Sequence, residues 1–209
     1  LFPPHFLKGS AAAAAASPAR SSRLMRLLLK PKTAFLPVSA FCQTQYGPVK
    51  GREGENGQLC WYGIPYGAAP TGEALDSAAG ASLLAHSADC TSPAPAAYQY
   101  TTFPLGTEDC LTLDIYSSAE AKKRPVLVYL HGSAATGSSL ELPGSELVRD
   151  AGCVFVALNY RLGLFGWNCL PALTADPDAT GKFALLDIAR ALDWVRDNIR
   201  RFGGDADNI

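Results

Sequence analysis

Two apolar runs, PVLVYLH at Pro125–His131 and CVFVALN at Cys153–Asn159, constrain the fold more than any other feature of this sequence. Each has the length of a strand, and neither shows the alternation that a sheet face open to water would impose. Such runs belong to strands buried on both faces, in a sheet that helices cover. Between them, Pro143–Asp150 predicts a short helix. After them, Phe183–Phe202 predicts a long one, with Leu185, Ala189, Leu192, Val195 and Ile199 as its buried stripe. On that reading Asp187, Asp193, Arg196, Asp197, Arg200 and Arg201 take the wetter sides. Gly203-Gly204 ends the helix, because glycine enters the left-handed C-terminal conformation cheaply. Strand, helix, strand, helix is the order of an α/β protein with a mostly parallel sheet.

The residues before these runs read differently. Phe41–Tyr46, Pro48–Arg52 and Gln58–Tyr62 predict a small leading antiparallel meander, since turn residues separate them closely. Residues 63–107 are rich in Pro, Gly, Ala and Ser and read mostly as loop, and Leu111–Tyr116 alternates like a half-buried strand. Residues 1–52 carry eight Lys/Arg and no acid, whereas 53–209 carry ten basic residues against nineteen acidic ones, a net of −9. Residues 1–40 therefore read as a low-complexity basic extension, disordered or targeting, with the run Ala11–Ala16 and helix-breaking prolines. Residues 41–209 read as the globular part. With 48% hydrophobic and 18% charged residues, the chain is neither a disordered tail nor a coiled coil. An overall charge of −1 gives no reason to expect nucleic acid, and no apolar run reaches membrane-spanning length.

Five segments carry more specific information: WYGIPYGAAPTGE at Trp61–Glu73, TEDCLTLDIY at Thr107–Tyr116, PVLVYLHG at Pro125–Gly132, VFVALNYRLGLFGW at Val154–Trp167, and the stretch from Gly181 to Ile209. In this order and spacing they resemble the type-B carboxylesterase/cholinesterase family of α/β-hydrolases, from about Gln45 to Ile209. The resemblance implies the N-terminal part of that fold, truncated before its nucleophile elbow. It also implies a serine esterase working through an acyl-enzyme on small carboxylic esters, with no cofactor and no metal.

The family's serine lies in a G-x-S-x-G elbow, and its triad acid and histidine follow it in the chain. No G-x-S-x-G occurs in residues 1–209, so the triad is expected beyond Ile209 and this chain is predicted inactive alone. Without nucleophile and base, an oxyanion hole and binding leave at most about 10³–10⁴-fold over water. The resemblance assigns the oxyanion loop to Gly132, Ser133 and Ala134, where the family has His-Gly-Gly-Gly or close to it. Here His131-Gly132 is followed by Ser133 and Ala134, whose Cβ atoms restrict the backbone.

The resemblance also implies a buried ion pair between Arg161 and Asp187. Glu108 normally faces an arginine of G-x-x-R-F, but that motif reads Gly72-Glu73-Ala74-Leu75-Asp76 here, so Glu108 is expected to lack its partner. Cys110 resembles the second half of a disulfide in secreted relatives, with Cys90 the candidate partner, which would place the chain outside the cytosol if oxidised. The compartment is otherwise open. Cys153 reads as a core thiol, and His86 with Cys90 lacks the further ligands zinc requires. Trp61, Tyr62, Tyr66, Phe165 and Trp167 pack the core or line an acyl or alcohol pocket. A bare sheet edge is expected to favour self-association. Two alternatives remain: a non-catalytic cholinesterase-like binding or adhesion module, and a remnant without activity.

Overall fold

The computed structural model describes residues 37–54, 57–70, 87–142, 144–170 and 181–209. A five-stranded sheet organises them. Its strands are β3 (Arg52–Glu53), β4 (Gln58–Pro65), β8 (Thr112–Ser118), β9 (Val126–Leu130) and β10 (Val154–Leu158), in the order β3-β4-β8-β10-β9. Parallel pairing occurs at β9–β10, in register from Val126 opposite Val154 to Leu130 opposite Leu158. The strands before it run antiparallel: β10 to β8, β8 to β4 and β4 to β3. A second sheet joins β1 (Phe41–Thr44), β2 (Gly47–Lys50) and β5 (Ala88–Asp89), and β6 (Gln99–Tyr100) with β7 (Pro104–Leu105) forms a short hairpin.

The meander expected from 41–62 is split between the two sheets. β1 alternates exposed and buried residues and needs only one covered face, whereas Gln58–Tyr62 of β4 is buried throughout and needs strand neighbours on both sides. β4 accordingly sits between β3 and β8, and Trp61 ties the sheets by donating from its indole to the Ala40 carbonyl at 2.9 Å. β8 also departs from the half-buried reading. It lies between β4 and β10 with six consecutive buried residues. Its alternation separates two apolar layers, Leu113 and Ile115 on one face and Tyr116 on the other.

Helices cover both faces. α1 (Gly144–Ala151) sets Val148 against Cys60, Tyr62, Tyr116 and Phe155. A short helix, α2 (Gly163–Trp167), follows β10. α3 (Phe183–Asn198) continues into a 3-10 turn, Ile199–Phe202, and covers the other face. Gly203 caps it at φ +84°, where an added Cβ would lie 2.5 Å from that of Ala121. Only glycine suits both the left-handed backbone and that approach.

The buried face of α3 differs from the predicted stripe. Val195 and Ile199 are buried as expected, but Leu185, Ala189 and Leu192 face outward. The core face is Phe183, Ala184, Asp187, Ala191, Trp194, Val195 and Asn198. Two polar residues on that face disguise it in the sequence, and both are satisfied in place. Asp187 meets Arg161, and Asn198 donates to the Trp194 carbonyl while accepting from the Gln45 N–H. β9 forms the outer edge of the sheet, with Leu127 and Leu130 exposed rather than buried. Near its start, Arg124 and Val126 donate to the carbonyls of Gly203 and Asn208.

This orientation of α3 has a direct test. Trp194→Ala is expected to cost about 3–5 kcal/mol in urea unfolding, the range for emptying a large aromatic site. Leu185→Lys and Leu192→Lys are each expected to stay within about 0.5 kcal/mol, as exposed substitutions do. The reverse ranking would mean that the helix is turned.

Candidate functional site

The C-terminal ends of β9 and β10 lie side by side, and the residues that follow them build the site. His131 leaves β9 with 3% exposure, its ring stacked on Tyr160 at 4.3 Å between centroids and 5° between planes. The Tyr160 hydroxyl donates to the His131 carbonyl at 2.7 Å. Burial holds the His131 imidazole below its ordinary pKa, and its Nε2 has no hydrogen-bond partner among the described residues.

Gly132, Ser133, Ala134 and Ala135 are exposed. Ser133 sits at φ 65°, a left-handed conformation that a Cβ disfavours by roughly 1–2 kcal/mol. Its own hydroxyl offsets part of this cost by accepting from the N–H groups of Ala135 (3.1 Å) and Thr136 (3.3 Å). The Ala134 carbonyl accepts from Gly163 N at 2.8 Å, pinning the loop to the start of α2. Among the described residues the N–H groups of Ser133 and Ala134 make no hydrogen bond, so two adjacent donors remain available.

Beneath the loop lies a polar network that sequence reasoning did not single out. Asp114 of β8 is 1% exposed and accepts from Gly63 N and Ser139 Oγ, both at 2.7 Å. Asn159, just past β10, accepts from Ser139 N at 2.9 Å and donates to Ser139 Oγ and Thr112 Oγ1. Ser139 thereby anchors the far end of the loop to two strands. Burial pushes the Asp114 carboxyl above the usual range, against the opposing effect of its hydrogen bonds. The available signal was an acid inside the strand TLDIY with apolar neighbours on both sides.

Arg161 and Asp187 meet below the site, 2% and 0% exposed. The guanidinium binds the carboxylate through two bonds, Nε to Oδ2 at 2.8 Å and Nη2 to Oδ1 at 2.7 Å, and Arg161 N adds a third at 3.1 Å. The Phe183 ring stands 5.2 Å from the guanidinium. Glu108, half-buried, makes no salt bridge among the described residues. It lines a narrow crevice that Arg161, Cys110, Tyr98 and Phe165 also line. The Gly72–Asp76 segment and His86 lie outside the described residues, as do residues 1–36 of the basic extension.

All six cysteines are free thiols. Cys90 and Cys110 are buried in one apolar cluster, and burial pushes each thiol up to about 12. Of the aromatics, Trp61, Tyr62 and Tyr66 are buried in the core, while Phe165 meets Tyr98 edge-on at 5.5 Å. Cys153 is buried beside Phe155 and Val148. Among the described residues no three His, Cys, Asp or Glu gather as a metal site would require, and no helix is long and apolar enough to cross a membrane.

This architecture, with a donor-bearing loop after a strand paired in parallel with its neighbour, defines part of an α/β-hydrolase. Residues 38–209 match the Carboxylesterase family. Para-nitrobenzyl esterase of Bacillus subtilis is 39% identical over 184 residues, covering 79% of this chain and 36% of the relative. Mouse carboxylesterase 3B is 46% identical over 107 residues, covering 49% of this chain and 18% of that protein. Among solved structures, a carboxylesterase of Geobacillus stearothermophilus superposes with a TM-score of 0.73 at 34% identity, and a PNB esterase with 0.71 at 36%. Each comparison covers about four-fifths of this chain and 36% of the other. The chain belongs to the carboxylesterase family, and it spans about a third of the length of the Bacillus subtilis esterase it matches.

Two substitutions probe the buried charges. Arg161→Ala is expected to destabilise by about 3–5 kcal/mol in urea, because Asp187 then stays buried without its cation. Asp114 titrates in the opposite sense from a paired carboxylate. Its folded pKa is raised, so the stability present at acid pH is lost as pH rises from the ordinary carboxylate range through the folded value. Asp114→Asn removes that loss. Relative to the parent chain, the variant is expected to be more stable at pH 7 than at pH 4, and an equal difference at both pH values would refute the assignment.

Proposed function

We propose that this chain supplies the oxyanion-binding part of a carboxylic-ester hydrolase, with the Ser133 and Ala134 N–H groups as the donors. The observation that carries this reading is the pair of unengaged, adjacent N–H groups at the end of β9, held from below by Asp114, Asn159 and Tyr160. Preorganised donors aimed at a developing alkoxide are worth about 10²–10³ in rate each. The substrate class is a small carboxylic ester, as the names of the related esterases suggest. Hydrolysis further needs a nucleophile, and residues 1–209 contain no G-x-S-x-G elbow. Alone, then, the chain binds at most the polarised carbonyl and does not turn it over. In an oxidising compartment Cys90 and Cys110 pair, and the exposed β9 edge at Leu127 and Leu130 supports self-association.

The test is the intact mass of the protein from its natural source, captured with an antibody to residues 181–200 and treated with a fluorophosphonate probe. The expected result is a species well above 22.1 kDa that the probe labels. A larger species that resists labelling would instead indicate a binding module. The 209-residue chain is expected to hydrolyse p-nitrophenyl acetate no faster than its denatured control. Saturable turnover above that control would reveal a nucleophile within these residues.

A further inference from the structure

The loop bearing Ser133 and Ala134 is held from the side as well as from below, by a residue that belongs to neither central strand. Gln99 lies on the β6–β7 hairpin, 7% exposed. Its side-chain amide faces the backbone of Gly137 and makes two reciprocal bonds. Gln99 Nε2 donates to the Gly137 carbonyl at 2.9 Å, and Gly137 N donates to Gln99 Oε1 at 3.0 Å. The same Nε2 reaches the Ala97 carbonyl at 3.1 Å, which fixes the rotamer. The side chain therefore behaves as one more rung of β-ladder laid across the loop.

Gly137 is also the point at which the loop touches His131. It adopts φ +143°, and a Cβ there would overlap His131 Nδ1 and come within 2.9 Å of Glu141 Oε1. A shift of Gly137 is thus felt by the imidazole stacked on Tyr160, one residue from Gly132. The hairpin itself is fixed at its base, where Tyr98 N bonds to the Thr107 carbonyl and Thr107 N to the Ala96 carbonyl. Gln99 pairs with Leu105 and Tyr100 with Pro104 across it. Its outer surface carries Tyr100, Phe103 and Leu105, all exposed.

We propose that Gln99 is a positioning residue, a strap through which the β6–β7 hairpin sets the backbone of the His131–Gly137 loop and hence the aim of the Ser133 and Ala134 N–H groups. Its importance for ester chemistry rests on the oxyanion reading above; the strap itself does not. Both hydrogen-bonding groups of Gln99 are turned to backbone, of Gly137 and of Ala97, so it acts on the loop through Gly137.

Amide hydrogen exchange on the 209-residue chain tests the strap independently of any activity. Gln99→Leu keeps a side chain of comparable volume and removes both bonds to Gly137. It is expected to raise exchange at Gly137 by at least about fivefold, the effect of losing an ordinary hydrogen bond, with amides of β10 unchanged. Gln99→Glu supplies the control. At pH 4 its protonated carboxyl keeps the acceptor for Gly137 N and one donor for the Gly137 carbonyl, giving up only the second donor that the amide turns to Ala97, and is expected to bring Gly137 within about twofold of the parent chain. Unchanged exchange in Gln99→Leu would overturn the strap and leave the oxyanion reading intact. Failure of Gln99→Glu to restore protection at pH 4 would overturn it as well, provided the β10 amides show the variant folded. A strap confirmed in this way in a protein that resists the fluorophosphonate probe would count against the oxyanion reading only.

Discussion

The pairing of Arg161 with Asp187 is the constraint on which the rest of the arrangement depends. Both groups are charged and both are almost wholly withdrawn from water, so neither is tolerable without the other. The pair forces the end of β10 and the first turns of α3 together, which in turn decides which side of α3 is inside. Once Asp187 points inward, Phe183, Trp194 and Val195 follow by helical spacing, and Leu185 and Leu192 are left outside. The carboxylate also accepts from Arg161 N, so it fixes the backbone where the chain leaves the sheet. Asn159 and Tyr160, immediately before, are thereby aimed at Ser139 and His131.

A hierarchy of polar contacts follows from that placement. Asn159 and Asp114 share Ser139, Tyr160 holds the His131 carbonyl, and Ser133 folds its own hydroxyl back onto the loop. Asp114, Asn159 and Tyr160 are each matched to a partner on a different strand or loop, so the network specifies position as well as stability. Ser133 is the point of tension. A side chain occupies a left-handed backbone where the family pattern has glycine, and the hydroxyl that comes with the side chain is what makes the conformation tolerable.

Much of the fold was legible in the sequence. The runs at 126–130 and 154–158 gave strands because their composition leaves no wet face, and Gly203 ended the last helix for the reason its φ reveals. The errors share one cause. Whether β8 has one neighbour or two, whether β4 follows β2 or leaves it, and which side of α3 is buried are all decided by partners far away in the chain. By periodicity Asp187 took a wetter side of the helix, because its partner, Arg161, is remote in the chain. The family motifs drew attention to the loop at Gly132, Ser133 and Ala134 and to Arg161 and Asp187, whereas Gln99 lay in a stretch read as loop. A glutamine between two tyrosines carries no pattern that announces a backbone contact 38 residues away.

The contacts of β1 have a consequence for how such a chain is made. Gln45 N bonds to Asn198 Oδ1 and the Cys42 thiol approaches the Arg201 carbonyl, spanning 153 and 159 residues. A ribosome delivers β1 long before the helix that completes it. During that interval the strand has its hairpin partner β2 but not its final support. At synthesis rates of roughly 5–20 residues per second the wait lasts on the order of ten seconds or more. For that period a nascent chain presents a half-finished sheet to the cell, which makes β1, made well before its support, among the last of the described strands to be locked and a natural client for holding chaperones.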